Sequence, residues 1–218
     1  MSSPAALRNP CDDPDRATIR QRIGLTVRGR TTESHAEIVS FDGLCDGREH
    51  ISVMWPSDDD TPLVRVHSEC LTGDVFGSMR CDCGDQLDDA IDVLSEAGGV
   101  LLYLRQEGRG VGLYNKLDAY ALQDAGLDTV DANLSLGLPA DGRDYTVAGQ
   151  MLQSLKIDRI RLITNNPDKQ AQLQRFGIDV VQRISTLQHA NPENAKYLQA
   201  KRERMGHLLP DPLEPIGD

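Results

Sequence analysis

The sequence lacks an excess of basic residues and any long apolar run. Its 218 residues include 23 lysines and arginines against 34 aspartates and glutamates, which gives a formal net charge of −11. Such a charge argues against a protein that coats DNA or an anionic membrane, so we expect neither as a partner. No apolar run approaches the ~18 residues that a transmembrane helix needs. The N-terminus has no apolar segment of the kind found in a secretory signal, which favours a cytoplasmic protein.

Internal repeats and low-complexity linkers are also missing, and the composition is that of a globular domain. Hydrophobic residues make up 39% of the chain and charged residues 26%, which argues against a disordered or fibrous protein. Residues 1–22 are polar and charge-rich, and we interpret them as a flexible N-terminal lead. We predict one folded domain over residues 23–210 and a C-terminal tail over residues 211–218.

Short apolar runs alternate with amphipathic patterns after residue 62. Apolar residues in 86–97 recur at helical spacing, and Gly98-Gly99 ends this pattern before a buried strand at 100–104. Residues 24–55 are typical of antiparallel strands. The other predicted elements are strands at 63–66, 160–163 and 178–184, and helices at 113–124, 145–155, 167–176 and 192–205. The pattern predicts an α/β (α+β) fold of mixed β-sheet layers with flanking helices.

Three of the five cysteines lie close together, as Cys70, Cys81 and Cys83 in a C-x10-C-x-C pattern. The odd number of cysteines and the missing export signal favour metal binding or catalysis over a disulfide framework. Three soft thiolates select zinc and leave a position for water, whose pKa zinc lowers to roughly 7. Three buried structural cysteines are the alternative. The neighbouring His67 fits a fourth ligand, a general acid or base, or a histidine of the core.

Two segments have the composition of anion-binding turns. Glycines at 108, 110 and 112 follow the strand at 100–104, with Arg105 and Arg109 as donors. The spacing matches neither a dinucleotide-binding fingerprint nor a P-loop, and an ordinary turn with surface arginines is the alternative. In the second segment, Asn166-Pro167 predicts a helix N-terminus after a strand, and Lys169 adds a positive charge there.

Taken together, these segments resemble the GTP cyclohydrolase II family, in its monofunctional form. The resemblance covers about residues 24–208 and follows family order and spacing. The matching segments are 65–74 (RVHSECLTGD), 80–84 (RCDCG), 105–113 (RQEGRGVGL), 120–124 (YALQD), 128–133 (DTVDAN), 141–144 (DGRD), 162–167 (LITNNP), 191–192 (NP) and 201–207 (KRERMGH).

The resemblance implies hydrolysis of GTP at the imidazole ring. The family releases formate and pyrophosphate and forms 2,5-diamino-6-ribosylamino-4(3H)-pyrimidinone 5′-phosphate, the first step of riboflavin biosynthesis. By position, Cys70, Cys81 and Cys83 match the zinc ligands, which implies that zinc-bound water attacks C8. The resemblance also implies magnesium with the triphosphate and a homodimeric protein.

The resemblance further assigns residues to the substrate and to catalysis. The positions that match GTP contacts are Arg65, Val66, His67, Ser68, Glu69, Gln86, Glu107, Gly108, Arg109, Thr129, Thr164 and Lys169. Tyr120 matches a tyrosine of the ring-opening step. Arg143 matches a nucleophile on the α-phosphorus, with Asp141 as its proton acceptor. Because free arginine stays protonated at ordinary pH, an electrostatic clamp on the phosphates is the rival role for Arg143.

Three other interpretations remain open at this point. The first is a paralogue that opens GTP, fully or in part, for a specialised-metabolite pathway. The second is a non-catalytic GTP-binding module with structural zinc, against which the retained Asp141, Arg143 and Tyr120 argue. The third is a thiol-redox protein, although C-x-C is not the usual redox spacing.

Overall fold

A seven-stranded mixed β-sheet organises the computed structural model, which describes residues 17–139, 141–187 and 189–206. The strands lie in the order β1-β2-β3-β5-β4-β6-β7. Their bounds are β1 Thr18–Arg28, β2 Glu33–Asp42, β3 Ile51–Trp55, β4 Leu63–Ser68, β5 Gly99–Leu104, β6 Arg159–Ile163 and β7 Asp179–Ile184. The first half of the sheet, from β1 to β5, pairs antiparallel, and β5, β4, β6 and β7 pair parallel. The predicted fold class is confirmed.

Helices follow the strands as the apolar spacing predicts. Their bounds are α1 Leu71–Asp74, α2 Cys83–Ala97, α3 Leu113–Asp124, α4 Thr129–Ser135, α5 Thr146–Ser154, α6 Pro167–Arg175 and α7 Ala195–Met205, with a 3-10 turn at Glu107–Gly110. Helix α6 begins as predicted, because the Asn166 side chain accepts a hydrogen bond from the Asp168 amide and Pro167 takes the first position. The sequence prediction missed α1 and α4, which are too short for apolar periodicity to mark them.

The N-terminal boundary of the fold lies earlier than predicted. Strand β1 begins at Thr18, so residues 18–22, which we assigned to a flexible lead, are strand residues paired with β2. Most of β1 is exposed on both faces and therefore carries no alternation of buried and exposed residues by which to recognise it. Residues 1–16 of the predicted lead and residues 211–218 of the predicted tail lie outside the described residues.

Both faces of the sheet are covered by packed side chains. Val64 and Val66 of β4 pack with α5 and α6 on one face, whereas Leu63 packs with α2 on the other. The alternation follows from the two-residue period of a strand. Because β4, β5 and β6 are parallel, their carboxyl ends meet at one edge, where α/β proteins place ligands. None of the helices in the described ranges combines the length and apolarity needed to cross a bilayer.

The glycine pair between α2 and β5 gives a test of this packing. Gly99 has φ +147°, and a Cβ there would lie 2.4 Å from the Leu63 carbonyl oxygen of the neighbouring strand. We expect Gly99→Ala to lower the free energy of unfolding by about 3 kcal/mol, since strain and overpacking add. Gly47→Ala is the control, because Gly47 has φ +68° with open space around it, and strain alone costs roughly 1–2 kcal/mol. Equal denaturant midpoints for the two variants would contradict the packing described.

Candidate active site

Two adjoining cavities open at the carboxyl ends of β4, β5 and β6 and collect nearly all the residues predicted from the sequence. The first, here called the sulfur cavity, is lined among these by Ser68, Glu69, Cys70, Cys81, Cys83, Glu107, Gly108, Arg109, Tyr120, Thr129 and Arg143. The second, here called the cationic cavity, is lined by Arg65, His67, Ser68, Cys83, Gln86, Arg143, Thr164 and Lys169. A larger cavity of about 710 Å³ lies at the opposite end of the strands, around Trp55 and Lys156, and holds none of the predicted residues.

The three cysteines converge in the sulfur cavity. Cys70 precedes α1, Cys83 begins α2, and the three sulfur atoms lie within 4.8 Å of one another. The Sγ atoms of Cys70 and Cys81 are 3.6 Å apart. A Cβ at Gly73 would lie 3.0 Å from the Cys81 sulfur and 3.3 Å from the Cys70 sulfur, so only glycine leaves the cluster room there. The cluster could hold a metal ion, and its soft donors are those that zinc prefers.

A buried carboxylate fixes the first cysteine. Asp74 accepts hydrogen bonds from the Cys70 amide at 2.9 Å and from the Tyr103 hydroxyl at 2.8 Å. The His67 Nε2 atom lies 3.2 Å from the same carboxylate, and the imidazole stacks on the Tyr103 ring. Burial lowers the pKa of His67 despite Asp74, which favours the neutral ring. His67 therefore contacts the carboxylate that fixes the cysteine loop, and it also lines the cationic cavity.

Lys116 of α3 gives the cluster a positive neighbour. Its Nζ donates to the Cys70 sulfur at 3.1 Å, to the Glu107 carboxylate at 2.8 Å and to the Thr72 hydroxyl at 2.9 Å. Hydrogen bonds from the other two thiols, together with the Lys116 charge, lower the pKa of Cys70. The hydrogen bond to Cys70 raises the pKa of Cys81 to about 11. These contacts favour the thiolate form of Cys70, the form that binds a metal.

The cationic cavity concentrates buried basic side chains. The Lys169 Nζ donates to the Val66 carbonyl at 2.7 Å, and the Arg65 guanidinium donates to Gln86 at 2.9 Å and to the Ile163 carbonyl at 3.2 Å. The pKa of Lys169 is well below its usual value, because the side chain is buried and lies near Arg65 and Arg143. The Arg65 Nε has no partner in the described residues. An anionic ligand would pair with the Arg65 guanidinium and would restore the protonated form of Lys169.

Arg143 stands where the two cavities meet. Its guanidinium forms a two-pronged ion pair with Asp141, with Nε to Oδ1 at 2.9 Å. Burial opposes the charge on Arg143, but Tyr145 and Asp141 outweigh it and raise the pKa of the guanidinium above its ordinary value. Burial likewise works to raise the pKa of Asp141, and the hydrogen bond from Arg143 lowers it instead. The pair is therefore charged on both sides.

The glycine-rich turn packs directly on the loop that carries Arg143. Gly108 and Arg109 both have φ +61°, and the Gly142 amide donates to the Arg109 carbonyl at 3.0 Å. A Cβ at Gly110 would lie 2.9 Å from the Gly142 carbonyl oxygen, so glycine is needed for this approach. The two terminal nitrogens of Arg109 are buried without a hydrogen-bond partner in the described residues. They are free to bind a ligand.

A few predicted residues stand apart from the cavities. Val66 contributes its carbonyl to Lys169 while its side chain lies in the core, and Asp141 sits behind Arg143. Arg105, which the sequence suggested as an anion donor, lines neither cavity and pairs with Glu69 at 2.9 Å. Four lining residues without a predicted role lie outside every matching segment of the sequence: Lys116, Ala119, Thr186 and Tyr197. Gln106 and Lys201 lie within matching segments but have no predicted role either.

Comparison with known proteins agrees with this arrangement. The family model described as GTP cyclohydrolase II matches residues 22–185. A protein from Vibrio parahaemolyticus named GTP cyclohydrolase-2 is 52% identical over 196 residues, covering 88% of this chain and 98% of the relative. A protein of the same name from Psychromonas ingrahamii is 49% identical over 198 residues, covering 89% and 98%. A protein from Rhodococcus jostii named Riboflavin biosynthesis protein RibBA is 53% identical over 199 residues, covering 87% of this chain and 48% of the relative. The chain belongs to the GTP cyclohydrolase II family.

Proposed function

We propose that this protein hydrolyses GTP at the imidazole ring and releases formate and pyrophosphate, as the first step of riboflavin biosynthesis. The observation that carries the proposal is the junction of a three-thiol cluster with a buried cationic cavity, bridged by Arg143. A ring-opening hydrolase of a nucleoside triphosphate needs both, one for the base and one for the phosphates. The product assigned is 2,5-diamino-6-ribosylamino-4(3H)-pyrimidinone 5′-phosphate.

The chain's own donors fit zinc. Cys70, Cys81 and Cys83 would hold the ion, with Gly73 leaving space for the three sulfur atoms and Lys116 offsetting their negative charge. When bound in a three-thiolate site, zinc supplies an activated water for attack on C8. Magnesium would accompany the triphosphate of the substrate.

The two cavities divide the substrate between them. The guanine base lies in the sulfur cavity, where Glu107, Arg109 and Thr129 offer polar groups. The triphosphate lies in the cationic cavity, against Arg65, Lys169 and the N-terminus of α6 behind Thr164. Gln86 bonds to Arg65 and Asp82 and orders the wall between base and phosphates.

Arg143 acts on the phosphates, and Tyr120 acts on the base. The ion pair with Asp141 keeps Arg143 protonated, which supports an electrostatic clamp over a nucleophile for this residue. Tyr120 lines the sulfur cavity, and its ring lies 5.7 Å from the Lys116 ammonium. Burial raises the pKa of Tyr120, so its phenol holds the proton that it can give to the opening ring.

One incubation tests the function. The purified protein with GTP, magnesium and zinc should release formate and pyrophosphate in equal amounts and give a product of the mass expected for the diamino compound. A product that retains the formyl group would favour the truncated reaction of a paralogue. Tight GTP binding without release of either product would support the non-catalytic module and overturn the enzyme assignment.

Three further assignments rest on the family relationship. We propose that the protein is cytoplasmic, forms a homodimer and serves riboflavin synthesis. The alternative is a paralogue that supplies the same diamino product to a specialised pathway. Both cases use the same site residues.

A further inference from the structure

The C-terminal helix α7 contributes to the cavities although it lies beyond the region that the family model matches. That match ends at residue 185, and α7 spans Ala195–Met205. Tyr197 lines both cavities, and Lys201 lines the cationic cavity. Two side chains of α7 thus reach a site at the carboxyl ends of β4, β5 and β6.

A buried ion pair fixes α7 to the cysteine loop. The Lys201 Nζ lies 2.8 Å from the carboxylate of Asp82, which stands between Cys81 and Cys83 and is 0% exposed. On its outer side, Arg204 pairs with Asp128 and with Asp131 of α4, the latter at 3.0 Å. Because removing one partner of a buried pair is strongly unfavourable, α7 keeps one position relative to the cysteines.

The Tyr197 ring contacts two cations at the junction of the cavities. The Arg109 guanidinium lies 5.5 Å from the ring centroid, and the Lys201 ammonium lies 4.4 Å from it. The Tyr197 hydroxyl is 4.0 Å from the Cys83 sulfur. Among the described residues, four line both cavities: Ser68, Cys83, Arg143 and Tyr197. Tyr197 is the largest of the uncharged side chains in this set and forms the rigid part of the partition.

We propose that Tyr197 is a positioning residue that sets the orientation of the base relative to the phosphates. This inference rests on the proposed function, because a GTP molecule that spans both cavities must cross the junction with its ribose. Ser68 is small, Cys83 belongs to the metal cluster and Arg143 faces the phosphates. The fixed Tyr197 ring is therefore the wall that limits how the ribose turns and holds C8 toward the cysteines.

The proposal predicts that the two chemical steps can be separated. Cleavage at the α-phosphorus needs the cationic cavity and Arg143, whereas loss of formate needs C8 directed at the cysteine cluster. Without the ring, the phosphates still bind while the base is misplaced. The by-product is then GMP, from GTP and one water molecule, with pyrophosphate released and the imidazole ring intact.

The test compares formate, pyrophosphate and GMP from wild type, Tyr197→Leu and Tyr197→Phe. Tyr197→Leu removes the ring but keeps a large apolar side chain in the fold. We expect its formate-to-pyrophosphate ratio to fall about tenfold, with GMP making up the difference, because small misplacements cost this much or more. Tyr197→Phe keeps the ring and should keep the wild-type ratio. Tyr114→Leu is the matched control, since Tyr114 is 81% exposed and lines neither cavity.

Zinc content and thermal unfolding of each variant complete the test. Zinc content equal to that of wild type is expected for Tyr197→Leu, because all three cysteines remain. An unchanged product ratio in Tyr197→Leu, or an equal fall in both products, would overturn the positioning role. Loss of zinc from that variant would also overturn it, in favour of a purely structural role for the ring. If wild type itself releases neither formate nor pyrophosphate from GTP, the proposed function fails instead.

Discussion

Cys81→Ser should abolish formate release and the binding of zinc together. Cys81 is buried, and its sulfur lies 3.6 Å from that of Cys70, so it is central to the cluster. A serine hydroxyl stays protonated near neutral pH and is a hard donor, so it is a poor ligand for zinc. Only two soft thiolates would remain, whereas zinc sites in proteins use three or four protein ligands. We expect formate release to fall to the level of a blank and the zinc content of the dialysed protein to fall to a small fraction of wild type.

The matched control for this variant is Met79→Ser. Met79 lies two positions before Cys81 in the same loop, is 58% exposed and lines neither cavity. It should keep the zinc content and formate release of wild type. A Cys81→Ser protein that still binds zinc and opens GTP would show that the thiol cluster is not the metal site.

Arg143→Ala should lower pyrophosphate release by about 10²–10³-fold, the usual loss when one preorganised charge is removed from a transition state. The guanidinium lies at the junction of both cavities and is oriented by its two-pronged pairing with Asp141. Asp141 would also lose its ion-pair partner. Steady-state release of pyrophosphate and of formate would be measured side by side, and both should fall, since the substrate loses its clamp.

A second measurement separates the clamp from a nucleophile. Wild type quenched during turnover should yield no phosphorus–nitrogen adduct at Arg143, because the paired guanidinium has no free lone pair. The conservative variant Arg143→Lys keeps the charge but loses the two-pronged pairing, and it should recover part of the lost rate. Repeated trapping of a guanylyl adduct on Arg143 would overturn the clamp and restore the covalent route.

Local chemistry made much of the fold predictable. Helix α3 has the predicted bounds, Leu113–Asp124, because its apolar spacing and terminal glycines act within the segment itself. The N-cap of α6 at Asn166 was predictable for the same reason. Strand β1 was not predictable at its start, because its pairing with β2 rather than any apolar alternation makes it a strand.

Site residues were predictable only where they lie close together in the sequence or match a position known from the family. The three cysteines lie within 14 consecutive residues, and their spacing predicts a metal site. Lys116 reaches Cys70 from 46 positions away, and Tyr197 reaches Cys83 from 114 positions away. No periodicity encodes such pairings, which exist because the sheet order brings the loops after β4 and β5 to one edge.

The ion pair between Asp82 and Lys201 also has a consequence for biosynthesis. The cysteine loop leaves the ribosome early, but the cation that neutralises its buried carboxylate is 119 positions further along the chain. Until α7 has been made, folding of residues 81–83 would bury the Asp82 carboxylate without its lysine partner. The paired geometry of the cysteine loop therefore requires a chain translated through its C-terminal helix.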